Sequence, residues 1–437
     1  MMQNGSHLTS RPRFSWGRRR SREDLVTAAR TAGPGGRPLR VLLTTDWWEP
    51  VVNGVVASVL TLRRELELLG CDVRVLTLSP CLRTSREPGV YRIGSVSAGV
   101  VYDSARIGMP TNRAVLQEIL RWHPDVVHSQ CEFSTYVWAR RIARSLGIPL
   151  VHTYHTIYED YTHYYSPSRT VGRKVIASLS RHVLDRTDAV IVPTAKVRTL
   201  LTRYRVRRPI HVVPTGLDLS RFRPAMTEQE TADAAALRAS INVRPEQKVL
   251  LSVCRLAKEK NLEEVIEHVA RSRRTDCVLV IVGDGPYRAE LEAAVDRYGI
   301  REQVRFTGCV APQDVNRWYR IGDVFVSASR SETQGLTFIE ALASGLPLLC
   351  HRDPSIAQVV IDGQTGYQIE TSEEFSARLA ELLDNGQDRD AFRVRAVEHA
   401  EATCGSRAFG EGVLGVYLST RPRRGQLLSP RREQVAA

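Results

Sequence analysis

From Leu39 onward the chain alternates short runs of β-branched and aliphatic residues with longer stretches whose apolar positions recur every three or four residues. The runs "LRVLLTT", "DVRVLTL", "DVVHS", "IPLVHTY", "DAVIVPT" and "PIHVVPT" read as strands buried on both faces, as in a parallel sheet covered by helices. Helical patterns at 55–69, 134–146 and 171–186 lie between them. After "PTGLDLSRFRP" a second series begins: "KVLLSVC", "CVLVIVG", "QVRFTG", "DVFVSAS" and "LPLLC". This pattern predicts an α/β protein of two doubly wound, Rossmann-like domains, 39–213 and 214–400, facing a central cleft. Residues 401–420 are expected to form a helix packing back toward the first domain.

The length of 437 residues agrees with two domains. A net charge of +13 raises the question of nucleic acid, and the distribution answers it. Residues 1–40 hold nine arginines against Glu23 and Asp24, and residues 420–437 hold five against Glu433. Segments 1–38 and 421–437 are rich in Arg, Pro, Gly and Ser without apolar periodicity, so they read as disordered basic tails. No nucleic-acid-binding motif accompanies them. A second basic run, Arg169 to Arg208, is either a solvated face or a surface attracted to anionic lipid.

The eight cysteines form no Cys-x-x-Cys pair, which disfavours a disulfide framework or structural zinc and fits a reducing compartment. No metal is expected. His152, His155 and His163 share no face, and Asp388-Arg389-Asp390 lies in a polar helical pattern away from any strand end. With no apolar run near the ~18 residues of a membrane span, the expected location is cytoplasmic, peripheral on the inner membrane face.

The segment "SASRSETQGLTFIEALASGLP" (327–347) carries the most chemistry. Glu332 follows a strand, and Gly335, Leu336 and Thr337 open a helix whose unpaired N–H groups can hold a phosphate. Glu340, one turn on, is placed to accept hydrogen bonds from ribose hydroxyls. Together with "CRLAKEKN" (254–261), "VGDGP" (282–286) and "PTGLDLSRFRP" (214–224), this segment resembles the retaining glycosyltransferases of family 4, whose architecture is called GT-B. The resemblance covers roughly 39–400. It implies that Arg255 and Lys260 bind the donor diphosphate, with Gly283 in the same donor site. It further implies that Glu340 binds the ribose and Glu332 the transferred sugar. It also implies a metal-independent hexosyltransferase with no cofactor, whose co-substrate is a nucleotide sugar such as UDP-glucose.

In the first domain, Asn53-Gly54-Val55 would bring backbone close to the donor phosphates. The stretch "VHTYHTIYEDYTHYY" (151–165) gathers five of the fourteen tyrosines. By the same resemblance His155 and Thr156 belong at the cleft, against the transferred sugar. If 157–165 were helical, Tyr158, Tyr161 and Tyr165 would share a face suited to sugar stacking or a lipid–water interface. With "WWEPVVNGVVAS" and "CEFS", this stretch is most similar to the bacterial diacylglycerol glucosyltransferases of the family. That similarity makes Trp47 and Trp48 further acceptor residues and a membrane lipid the expected acceptor. A soluble acceptor is the alternative. Gln130 departs from the His-x-His common at 128–130 in related enzymes, which speaks against catalysis there.

Overall fold

Along β1 (Arg40–Thr44), Val41 and Leu43 enter one apolar core and Leu42 the other, the period-two pattern of a strand covered on both faces. The structure is a computed structural model that describes residues 21–51, 53–98, 106–109, 112–159, 168–384 and 386–420. The first half continues with β2 (Asp72–Leu78), β3 (Ser85–Glu87), β4 (Val90–Ile93), β5 (Ser95–Ser97) and β6 (Arg106–Gly108). Then come β7 (Val126–Ser129), β8 (Leu150–Thr153), β9 (Ala189–Val192) and β10 (Ile210–Val212). Eight of these form one sheet in the order β10-β9-β8-β7-β1-β2-β4-β3, parallel except where β3 meets β4. β5 and β6 pair separately.

The second half contributes β11 (Lys248–Val253), β12 (Cys277–Val282), β13 (Val304–Phe306), β14 (Val324–Ser327), β15 (Leu348–His351) and β16 (Gly366–Ile369). They form a wholly parallel sheet ordered β13-β12-β11-β14-β15-β16. In β12, Val278, Val280 and Val282 face one core while Cys277, Leu279 and Ile281 face the other. Strand order reverses between β1 and β7 in the first sheet and between β11 and β14 in the second. Loops diverge at such points, leaving a crevice at the strands' carboxyl ends.

The chain passes between the two domains twice, and the two passages are hydrogen-bonded to each other. Leu217 N–H donates to Cys404 O (3.0 Å), and Ser406 N–H donates to Leu217 O (3.1 Å). A Cβ on Gly216 would lie 2.6 Å from Phe409 Cβ and 2.7 Å from Ser406 Cα, so only glycine fits this crossing. The helix Gly386–Cys404 packs on the second domain through Phe392, Ala396 and Ala400. The next helix, Ser406–Thr420, returns to the first, where Phe409, Val413, Leu414, Val416 and Tyr417 enter its core.

The reading of 1–38 as a structureless tail needs correction. Arg22–Thr31 is a helix, opened by a reciprocal capping box between Ser21 and Asp24. Leu25 and Ala29, four residues apart, are buried in the first-domain core, and Arg22 pairs with Glu411 at 3.1 Å on the returning helix. Its arginines are compatible with the helix because Arg22 is paired with Glu411 and Arg30 is exposed. Residues 1–20 and 421–437 lie outside the described residues. Among the described residues, no helix is long and apolar enough to cross a membrane.

Candidate active site

The loops after β11 and β14 bring Lys260 and Glu332 together. Lys260 Nζ lies 2.6 Å from Glu332 Oε1, which also accepts from Ser329 Oγ at 2.7 Å. Burial acts to raise the Glu332 pKa, but the Lys260 cation and the two hydrogen bonds hold it below the usual carboxylate range. Arg255 pairs with Glu259 at 3.1 Å. Both cations are thus paired with carboxylates, Lys260 in a largely buried setting and Arg255 in a more exposed one.

Gly335 caps the helix Leu336–Ala343 at φ 78°, a left-handed conformation that frees the following N–H groups to point outward. Glu340, on the first turn and a half of this helix, accepts a hydrogen bond from Tyr319 O–H at 2.7 Å. Burial pushes its carboxyl up to about 7, against the pull of Tyr319 and Arg221. Gly283 has φ 133°, and a Cβ there would come within 2.0 Å of the Cys254 carbonyl oxygen. This close approach brings the end of β12 against the end of β11.

Across the cleft, Asn53 caps the helix Gly54–Leu68 by accepting from Val56 N–H at 2.9 Å. A Cβ added to Gly54 would contact Leu336 Cδ1 at 3.4 Å. The N-termini of two helices, one from each domain, therefore adjoin. Their partial positive charges add at one place, which suits a diphosphate.

Beyond β1, β7 and β8, the first domain holds a cluster of polar side chains. Asp46 accepts from the backbone N–H groups of Ser134 (3.1 Å) and Thr135 (2.7 Å), capping the helix Ser134–Leu146, while burial raises its pKa. His155 Nε2–H donates to Gln130 Oε1 at 2.7 Å, and burial lowers the imidazole to about 4. His155 is therefore neutral at physiological pH, with Nδ1 left as an acceptor. Glu132 Oε2 accepts from Tyr158 O–H (2.6 Å), and Glu132 Oε1 accepts from His152 Nε2–H (3.3 Å).

Two expected acceptor residues require correction. Trp48 is buried in the first-domain core with Leu43 and Val59, so its indole is a packing group and not an exposed wall. Tyr158 is half-buried, its ring edge-on to Phe133 and Tyr154 and its hydroxyl engaged by Glu132, so it shapes the site instead of projecting from it. Trp47 and Thr156 are half-buried in the loops after β1 and β8. Tyr161, Tyr165 and His163 lie outside the described residues. His128 is sealed between Tyr417 O–H (2.6 Å) and Thr153 Oγ1 (2.7 Å) and is structural.

The sequence reading passed over Glu132, Tyr319, Lys196, Asp353 and Gln334. Gln334 accepts from Thr215 N–H (2.8 Å) and donates to Thr215 O (2.9 Å), joining the loop after β14 to the interdomain crossing. Glu132 stood within the quoted "CEFS" but was given no role there. Among the described residues, no group of three or more His, Cys, Asp or Glu side chains is placed to hold a metal ion.

Two adjoining helix N-termini, cations held by carboxylates and a buried carboxylate between two doubly wound domains are the features of a transferase of the GT-B class. Comparison with known proteins agrees. "Glycosyltransferase Family 4" matches residues 52–221 and "Glycosyl transferases group 1" matches 233–399. The alpha-monoglucosyldiacylglycerol synthase of Streptococcus pneumoniae is 34% identical over 79% of this chain and 78% of its own length. Its counterpart in Acholeplasma laidlawii is 30% identical over 79% of this chain and 89% of its own. Anabaena HepE, solved in complex with UDP and glucose, superposes with a TM-score of 0.67 at 16% identity, covering 87% of this chain and all of its own. The chain belongs to the family 4 glycosyltransferases.

Proposed function

We propose that this glycosyltransferase moves glucose from UDP-glucose to the free hydroxyl of a diacylglycerol at an anionic membrane face, with retention at the anomeric carbon and without a metal. The donor assignment rests on the family and on the second-domain geometry. Glu340 takes the ribose hydroxyls, the adjoining helix N-termini take the diphosphate, and Glu332 faces the sugar. As the anomeric C–O bond breaks, negative charge grows on the diphosphate, where Arg255, Lys260 and the two helix ends lie. The acceptor hydroxyl attacks the anomeric carbon and its proton passes to the departing phosphate oxygen. His155, neutral and hydrogen-bonded to Gln130, positions the sugar.

The observation that carries the lipid acceptor is the outer face of the helix Arg169–Leu184. Val171, Val175 and Leu179, spaced four residues apart, are 57%, 59% and 50% exposed, and Lys174 and Arg181 border them. The inner face is buried through Ile176, Val183 and Leu184. The neighbouring helix Ser134–Leu146, joined to it by Tyr136 O–H donating to Val183 O (2.7 Å), exposes Val137 beside Arg141 and Arg144. An apolar stripe bordered by cations on an otherwise well-packed helix matches a bilayer with anionic headgroups. Names of the related synthases point the same way.

The test is to incubate the protein with radiolabelled UDP-glucose and vesicles of diacylglycerol in phosphatidylglycerol, then determine the anomeric configuration of the product. An α-glucosyl lipid formed equally well with excess chelator is expected. Label transferred only to a water-soluble acceptor would overturn the lipid assignment.

A further inference from the structure

Lys196 opens the helix Ala195–Arg203, directly after β9 of the first domain, yet all four of its polar contacts lie on the second. Its Nζ is 2.8 and 2.9 Å from the two carboxylate oxygens of Asp353, and it donates to the carbonyls of Arg330 (3.1 Å) and Glu332 (3.3 Å). One residue pair away, Thr194 Oγ1 donates to Thr333 O at 3.0 Å. Asp353 is itself held in place by Ser355, whose N–H (2.8 Å) and O–H (2.6 Å) both donate to Oδ1. The carboxylate is only 8% exposed, so it depends on the cation from the other domain for charge balance.

We propose that Lys196 is a positioning residue that latches the two domains together and, by gripping both ends of the Arg330–Glu332 turn, sets the place of the Glu332 carboxylate. Resting on the glycosyltransferase reading of Glu332, the proposal adds a role for the first domain in assembling a donor site that otherwise belongs to the second. Three features separate a latch from an incidental surface pair. The pair is largely buried, which makes an unpartnered carboxylate costly. A lysine ammonium has three protons, and here a carboxylate and two carbonyls divide them. The carbonyls that accept belong to the loop carrying Glu332, so rotation of one domain away from the other removes their donor. Domain closure and completion of the sugar-facing site are thereby one event.

The test uses full-length Lys196→Met, Lys196→Arg, Asp353→Asn and the double variant Lys196→Met/Asp353→Asn. In ligand-free protein, hydrogen–deuterium exchange of peptides covering 328–336 is expected to quicken about tenfold or more in Lys196→Met, with second-domain peptides away from 328–336 and Asp353 unchanged. In turnover, Lys196→Met and Asp353→Asn should each lose about 10- to 100-fold while UDP affinity stays within about threefold, because the expected nucleotide contacts lie elsewhere. The double variant should be no worse than either single one, and Lys196→Arg should recover part of the loss. Exchange in 328–336 unaltered by Lys196→Met would overturn the latch, as would UDP affinity falling in step with turnover. The exchange measurement needs neither donor nor acceptor. Failure of the wild-type protein to glucosylate diacylglycerol therefore refutes the substrate reading and leaves the latch to be decided on its own.

Discussion

Glu340 and Glu332 lie eight positions apart in one motif, yet their surroundings give them opposite acid–base behaviour. Glu332, beside Lys260, stays ionised; Glu340, buried and hydrogen-bonded by Tyr319, is pushed up to about 7. Below that pH the free protein holds a proton on Glu340, and in the proposed donor site that proton must leave before the carboxylate can accept from two ribose hydroxyls. UDP affinity is therefore expected to fall by up to about tenfold per pH unit below 7 relative to Glu340→Gln, whose profile keeps only the titration of the nucleotide. Calorimetry from pH 5.5 to 8 checks this; parallel profiles for the two proteins would refute it. Because the folded-state value lies above the ordinary 4.5, the same group favours the fold at low pH, and that contribution is lost as pH rises through about 7. Glu332→Ala, by contrast, should leave UDP binding within about threefold and lower turnover by about 10²-fold.

The meeting of Lys260 with Glu332 was legible in the sequence because each sits in a short motif at a strand end, where local spacing fixes the geometry. Lys196 and Asp353 were not, being 157 positions apart and meaningful only across a cleft whose closure no local pattern encodes. Trp48 misled for a different reason. An aromatic residue in a strand-end loop can stack on a sugar or fill a core, and the decision belongs to neighbours such as Val59 on the next helix.

The long central strands of both sheets were plain in the hydrophobic pattern, since a strand covered on both faces is apolar throughout. β3, β5 and β6, three residues each at the periphery, bury too little to leave such a signature. The helix Arg22–Thr31 was hidden for a related reason: only Leu25 and Ala29 are buried among charged and polar residues. Leu25→Ala is expected to cost about 2 kcal/mol, at the low end for a buried leucine because the site is peripheral, measured by urea unfolding. An effect below about 0.5 kcal/mol would show that the helix does not support the core. For the helix Arg169–Leu184 the expectation concerns binding. Changing Val171, Val175 and Leu179 together to Ser should abolish sedimentation with phosphatidylglycerol vesicles without lowering the melting temperature, since all three side chains are exposed. Retained sedimentation of that triple variant after removal of 1–20 and 421–437 would place the docking surface elsewhere.

At the scale of the whole molecule, the two sheets offer their reversal points to one cleft, and each domain supplies one helix N-terminus to it. The basic termini that dominate the net charge made a poor guide to function, because charge on segments without apolar periodicity says little about the folded body. The returning helix has a different kind of consequence, one for the order of events during synthesis. His128 and Tyr417 are 289 positions apart, and Phe409, Val413, Leu414 and Val416 close the same core. A ribosome making this chain releases the first domain's strands long before the helix that covers them. The nascent first domain must wait with an apolar face open while the second domain is translated and folds. Ending the chain after Gly405 should therefore damage the domain made first, leaving the second folded while the first melts early and aggregates. Differential scanning calorimetry of that truncation would show a low-temperature transition split from a preserved one. The last residues to emerge would then set the moment at which the enzyme's first half becomes native.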